Sequence, residues 1–177
     1  MRHARGFTLW ELVCSLAIAA VTLGAGVPAF RNVLLDARLT ADVNAWVLAV
    51  QVARSEAFKR GRPVVVCKTD DTRRCGAGVP ADAGFMVYVN LDDEYPLERS
   101  AAEPLIFVHA PRMAGTIVSN RPYYEFRVGR RSTNGTVVFC DARGAAAARA
   151  VIVSFTGRPR VATRDADGRP LRCPATS

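Results

Sequence analysis

Arg158 and Arg160, in the stretch Gly157-Arg158-Pro159-Arg160, are the residues of this chain whose type and spacing point most directly to a ligand. A guanidinium is always charged and presents a planar fork of donors that matches a pair of phosphate oxygens. In an extended segment alternate residues share a face and lie about 6.6 Å apart, at ~3.3 Å per residue. Each of the two arginines can then fork onto a phosphate. Arg164 continues that face, and Arg130 and Arg131, which precede the turn Ser132-Thr133-Asn134-Gly135, are candidates to widen it. Gly157 suits the positive φ of a tight turn after the β-rich run Val151 to Phe155. Pro159 excludes a central strand because it has no N–H for a second ladder. The plainer reading of the same residues is a hairpin turn without a ligand.

Charge placement supports the ligand reading. The chain carries a formal net charge of +8, and the surplus is not uniform. Cys67 to Glu103 sums to −4, whereas Arg121 to Ser177 holds eleven arginines against Glu125, Asp141, Asp165 and Asp167, a net +7. A polyanion would be drawn to the C-terminal third. No recognition helix or zinc finger is present, so contacts would be to a nucleic-acid backbone without base reading. Tyr123 and Tyr124 are either stacking platforms or, more simply, core and cross-strand residues.

Other chemistry is sparse. His109 follows an apolar run and reads as a structural histidine. Asp92-Asp93-Glu94 reads as a solvated loop, and Gly76-Ala77-Gly78 lacks the Lys-Ser/Thr that completes a phosphate loop. No catalytic set emerges, and neither a cofactor nor a metal is expected. Without a CxxC pair or enough histidines for zinc, Cys67, Cys75, Cys140 and Cys173 are better used in two disulfides. Pairing sequence neighbours gives Cys67–Cys75 and Cys140–Cys173, but four cysteines allow three connectivities and sequence alone does not choose. Disulfides imply an oxidising compartment.

The elements that must position these residues begin with an apolar run. Leu12 to Phe30 is 19 residues without a charge, close to the ~20 that span a bilayer. Glu11 at its start is the difficulty. An ordinary secretion signal, with Ala17-Ile18-Ala19 as its cut site, or a plain anchor leaves that carboxylate buried without a partner. The block Gly6-Phe7-Thr8-Leu9-Trp10-Glu11-Leu12 instead resembles a type IV prepilin signal. The resemblance implies cleavage between Gly6 and Phe7 by a prepilin peptidase and methylation of the new Phe7 amine. It also implies that Glu11 pairs with a neighbouring subunit's terminal amine during assembly, as a buried charge requires. Gly24, Gly26 and Pro28 suit that family's helix, which bends or loosens near a proline.

Beyond Arg31, the residues Leu35, Leu39, Val43, Trp46, Val47, Val50, Ala53, Ala57 and Phe58 mark the core face of an amphipathic helix. Asp36, Asp42, Gln51, Arg54, Ser55 and Lys59 fall toward solvent, and Gly61 with Pro63 ends the helix. Short β-rich runs follow at Val64 to Val66, Phe85 to Val89, Leu105 to Val108, Thr116 to Val118, Tyr123 to Val128, Thr136 to Phe139 and Val151 to Phe155, separated by turn residues. The expected fold is α+β, one long N-terminal helix packed on an antiparallel β-sheet. The expected organisation is a leader over 1–6, a transmembrane and assembly helix over 7–30, and a globular domain over 31–177.

Ala53-Arg54-Ser55-Glu56-Ala57, Lys59-Arg60-Gly61, Val66-Cys67-Lys68, Gly84-Phe85, Gly135-Thr136 and Phe139-Cys140 resemble the GspH/FimT group of minor pilins and pseudopilins. One departure is Phe85, where relatives often carry Trp after Gly. Within the FimT branch, Gly157-Arg158-Pro159-Arg160 resembles a GRxR motif that holds DNA during natural transformation. The resemblance implies a minor pilin that passes once through the inner membrane and then joins other pilins in the pilus or its tip, from periplasm to cell surface. DNA would be its sequence-independent partner. The alternatives are a GspH-type pseudopilin of type II secretion without a DNA role and, from another class, a periplasmic disulfide-bonded enzyme.

Overall fold

Leu39, Val43, Trp46, Val50, Ala53 and Ala57 recur at alternating steps of four and three, the spacing that keeps side chains on one face of a helix. In a computed structural model that describes residues 8–76, 78–92 and 98–174, without the side chains of residues 25–29, all six are buried along α1 (Leu9–Arg60). The helix ends at Gly61, whose φ of +62° is open to glycine at no steric cost. Gly61 donates its N–H to the Ala57 carbonyl at 3.0 Å.

The chain divides into two compact units, Met1–Ala37 and Arg38–Ser177. In the first, Thr8 and Glu11 form a reciprocal cap: the Glu11 N–H donates to Thr8 Oγ1 at 3.3 Å, and the Thr8 hydroxyl donates to Glu11 Oε2 at 3.3 Å. Leu9, Trp10, Leu16, Ile18, Val21 and Leu23 are exposed. Gly6 and Phe7 of the expected cleavage site lie outside the described residues, as do the side chains of Gly26 and Pro28. Among the described residues no helix is long and apolar enough to cross a membrane.

The second unit carries eight strands in two four-stranded antiparallel sheets. The first holds β1 (Val64–Thr69), β2 (Gly84–Val89), β3 (Leu105–His109) and β5 (Tyr123–Phe126) in the order β3-β2-β1-β5. The second holds β4 (Gly115–Ser119), β6 (Gly135–Asp141), β7 (Arg149–Val153) and β8 (Pro159–Ala162) in the order β4-β6-β7-β8. β8 is the strand not anticipated from the sequence, because its alternation holds little that is strongly apolar. It lies at an edge, where Pro159 is tolerated.

Both sheets turn one face to the helix. Val64, Val66, Phe85, Val87 and Phe126 of the first and Ile117, Val137, Phe139, Val151 and Val153 of the second join the helical stripe in one core. The alternate residues face away. Val65, Cys67, Met86 and Tyr88 cluster with Cys75, and Cys140 and Ala150 cluster with Ala148 and Leu171. Cys67 is bonded to Cys75 and Cys140 to Cys173.

Two positions depart from the helical pattern. Phe58, expected in the core, is 79% exposed because it falls on the solvent side of the helix, four residues after exposed Arg54 and seven after exposed Gln51, while its neighbour Ala57 is buried. Asp42, expected in solvent, is fully buried. Its carboxylate accepts the backbone N–H groups of Arg112 (2.9 Å) and Met113 (2.8 Å) and the His109 Nε2–H (2.8 Å). A buried charge persists when its lone pairs are filled in this way. His109 is thereby a structural residue.

Removing the carboxylate leaves those amides buried without acceptors. We expect Asp42→Ala to lower the free energy of unfolding by about 3 kcal/mol, read as a shift in the urea midpoint.

Candidate nucleic-acid interface

The turn before β8 is built by hydrogen bonds and by one glycine. Gly157 donates its N–H to the Ser154 carbonyl (2.8 Å), Ser154 donates to the Arg158 carbonyl (3.1 Å), and Arg158 donates to Ser154 Oγ (3.2 Å). Gly157 has φ +70° and is buried. A Cβ placed there would meet Ser132 Oγ at 2.8 Å, Arg54 Cδ at 3.1 Å and Phe126 Cδ1 at 3.1 Å. The hairpin tip is therefore seated against the helix, the 127–134 loop and β5 at once.

Register fixes which way the β8 arginines point. Arg160 is opposite Ile152, and Pro159 and Val161 are opposite Val153 and Val151. Val151 and Val153 face the core, so Arg158 and Arg160 lie on the face of the second sheet that looks away from the helix. Both are exposed. The Cys140–Cys173 bond and buried Leu171 hold the C-terminal segment on that same face.

The eleven C-terminal arginines are not equally available. Arg127, Arg143 and Arg169 are paired with Glu125, Asp141 and Asp167. Burial raises the pKa of Asp141, but the bonds from Arg143 outweigh it and hold the carboxyl below its ordinary value. Arg121, Arg149 and Arg164 donate to the carbonyls of Asn134, Ala147 and Gly168. Among the described residues no carboxylate pairs with Arg130, Arg131, Arg158 or Arg160.

The structure brings Arg131 to the hairpin. Its guanidinium sits 5.6 Å over the Phe155 ring, and the next residue, Ser132, donates its N–H to the Phe155 carbonyl at 2.9 Å. Arg130 lines a groove of about 680 Å³ with Arg54, Phe58, Phe126, Ser132 and Thr156. Arg164 lies past the end of β8 and pairs with Pro170 across a separate turn at Asp165 to Arg169. Tyr124 is buried, with its hydroxyl pushed up to about 12 by burial and bonded to Ser119, and half-buried Tyr123 packs near Cys67. Neither offers a free ring face.

Sequence reasoning did not place Arg54, Phe58 or Phe155 at this site. Arg54 follows the buried Ala53 on the exposed side of the helix, and only the fold brings it to Gly157. Replacing that glycine strains the backbone and crowds three neighbours. We expect Gly157→Ala to cost about 1–3 kcal/mol, measured as a lowered thermal midpoint.

The model of the family described as type II transport protein GspH matches residues 42–157, which takes in the sheet-facing part of the helix and both sheets up to Gly157. Arg158 and Arg160 lie just beyond it. No curated protein matches the chain. Among solved structures, the type IV minor pilin FimU of Pseudomonas aeruginosa strain PAO1 has a similar fold in two crystal forms. In space group P65 it is 16% identical over 70% of this chain and 92% of that one, with a TM-score of 0.51. In space group P21 it is 18% identical over 76% and 94%, with a TM-score of 0.52. At that identity the likeness is one of fold, and the family match, spanning well over half of the sequence, places the chain in the GspH family of minor pilins and pseudopilins.

Proposed function

We propose that the chain is a minor type IV pilin that holds DNA by its phosphates during natural transformation. The observation that carries the reading is the pair Arg158 and Arg160, exposed on one face of an edge strand with no carboxylate partner among the described residues, beside Arg131 at the hairpin tip. Guanidinium groups so placed meet phosphate oxygens directly and read no bases. Arg164 and Arg130 extend the set at either end.

The rest of the proposal concerns the chain's start. A prepilin peptidase cuts between Gly6 and Phe7, and Phe7 becomes the methylated terminus. Glu11 then exchanges its local cap on Thr8 for the amine of a neighbouring pilin. The segment 7–30 holds the subunit in the inner membrane before assembly, and the exposed apolar side chains from Leu9 to Leu23 are later covered by other pilins in the filament. A second reading, a type II secretion pseudopilin without DNA, draws on the description of the matched family and on its end at Gly157, before the arginines.

Gel retardation of the full chain in detergent, with unrelated duplexes of equal length at two salt concentrations, separates the readings. We expect binding without sequence preference and a slope of log K against log salt of roughly −3, for about three neutralised phosphates. Arg158→Gln with Arg160→Gln should weaken binding and flatten the slope by about 2. Equal retardation by the double variant would return the protein to the secretion reading. Mass spectrometry of the assembled protein should find methylated Phe7 at its terminus; a start near Ala20 would overturn the pilin reading.

A further inference from the structure

Two aromatic rings stand open beside the unpaired arginines. Phe58 is 79% exposed and Phe155 is 53% exposed. Phe58 lines the groove with Arg54 and Arg130, and Phe155 precedes another lining residue, Thr156. A single exposed ring is ordinary in a folded protein. Rings set among guanidinium groups with no acid partner are different, because that combination is what an unpaired nucleic-acid strand engages: phosphates on cations and base faces on aromatics.

The cations of the site lie on both sides of the hairpin. Arg158 and Arg160 lie on the face of the second sheet that looks away from the helix, whereas Arg54 and Arg130 lie on the helix side of the hairpin, with Gly157 between them against Arg54. One strand that meets both sets must turn around the tip at Phe155 to Gly157, within the width of a hairpin. A duplex has a persistence length of about 150 bp and resists so tight a turn. It also keeps its base faces stacked away from Phe58 and Phe155. A single strand bends freely and offers each base to a ring.

Resting on the DNA reading above, we propose that the bound form is single-stranded DNA, which runs from Arg160 and Arg158 around the hairpin tip, stacks on Phe155, and enters the groove of Arg54, Phe58 and Arg130. Arg131 already covers one side of the Phe155 ring at 5.6 Å and holds it in place for a base.

The test is fluorescence anisotropy of the full chain in detergent micelles, with labelled oligo-dT and with a duplex carrying the same number of phosphates. We expect the single strand to bind about 10-fold tighter. Phe155→Ala and Phe58→Ala should each weaken oligo-dT by about 5-fold or more and the duplex by less than half that factor, while Phe155→Trp keeps the native affinity. Arg54→Gln should likewise weaken oligo-dT more than the duplex. A thermal midpoint within a degree or two of native shows that a variant's loss does not come from unfolding, and for any variant with a lowered midpoint Phe155→Trp, which keeps the ring, decides the case. Equal affinity for the two forms, or alanine variants that bind oligo-dT as well as native, overturns the single-strand proposal and leaves the phosphate-holding reading standing. Failure of both forms to bind overturns that reading as well.

Discussion

The buried indole of Trp46 is the contact on which the rest of the second unit depends. The two sheets share no ladder, so their mutual placement rests on what packs between them. Trp46 is fully buried and meets Phe85 and Tyr124 of the first sheet edge-on at 4.8 and 5.7 Å, and Phe139 of the second at 6.3 Å. Such pairs add about 0.5–1.5 kcal/mol each beyond the area they bury. Among the described residues the indole Nε1 has no hydrogen-bond partner. A buried donor left alone costs about 1–3 kcal/mol, a penalty tolerated where one large ring must bridge three elements.

That bridging sets the geometry of the arginines. Gly157 belongs to the second sheet's last hairpin, Phe126 to the first sheet and Arg54 to the helix, and the three meet within van der Waals range. If the sheets shifted against one another, the hairpin tip would lose its seat. The seam is reinforced by backbone bonds from Ser132 to Phe155 and from Thr133 to Glu125, at 2.9 and 3.1 Å. Disulfide Cys140–Cys173 ties the C-terminal segment to β6 on the outer face of the same sheet. Rigid placement matters for a phosphate site, since a guanidinium that is already oriented loses less freedom on binding.

The elements readable from the sequence are those where one periodicity dominates. Steps of three and four gave the buried face of the helix from Leu39 to Ala57, and apolar runs gave seven strands, because in each case burial follows the pattern directly. β8 escaped because its residues Pro159, Arg160, Val161 and Ala162 show no strong alternation; its pairing comes from β7, not from its own composition. Asp42 escaped because periodicity ranks an acid as a solvent residue, whereas its partners His109, Arg112 and Met113 lie almost seventy residues away. Phe58 departs in the opposite sense: its apolar side chain reads as core, but it lies off the stripe, four residues after exposed Arg54. At the candidate site, the proline and glycine of Gly157-Arg158-Pro159-Arg160 announced a turn and an edge, but the neighbourhood of Arg54, Arg130 and Phe155 exists only through tertiary contact. The Thr8 to Glu11 spacing is that of a capping box, a local partner for the carboxylate that the sequence itself carries.

Net charge alone does not locate a phosphate site. Of the +7 in the C-terminal third, much is consumed inside the fold, by acids at Arg127, Arg143 and Arg169 and by carbonyls at Arg121, Arg149 and Arg164. The acids of the middle region are likewise committed: Asp71 caps its own turn through the N–H groups of Arg74 and Arg73, which hold its carboxyl well below the usual range, and buried Glu103 accepts the N–H groups of Leu91 and Ser100. At physiological ionic strength, exposed charges more than about 8 Å apart are largely screened, so the total matters less to a phosphate than the few cations within reach. Arg130, Arg131, Arg158 and Arg160 are four guanidinium groups without an acid among the described residues, gathered at the hairpin whose tip packs against the helix, the 127–134 loop and β5.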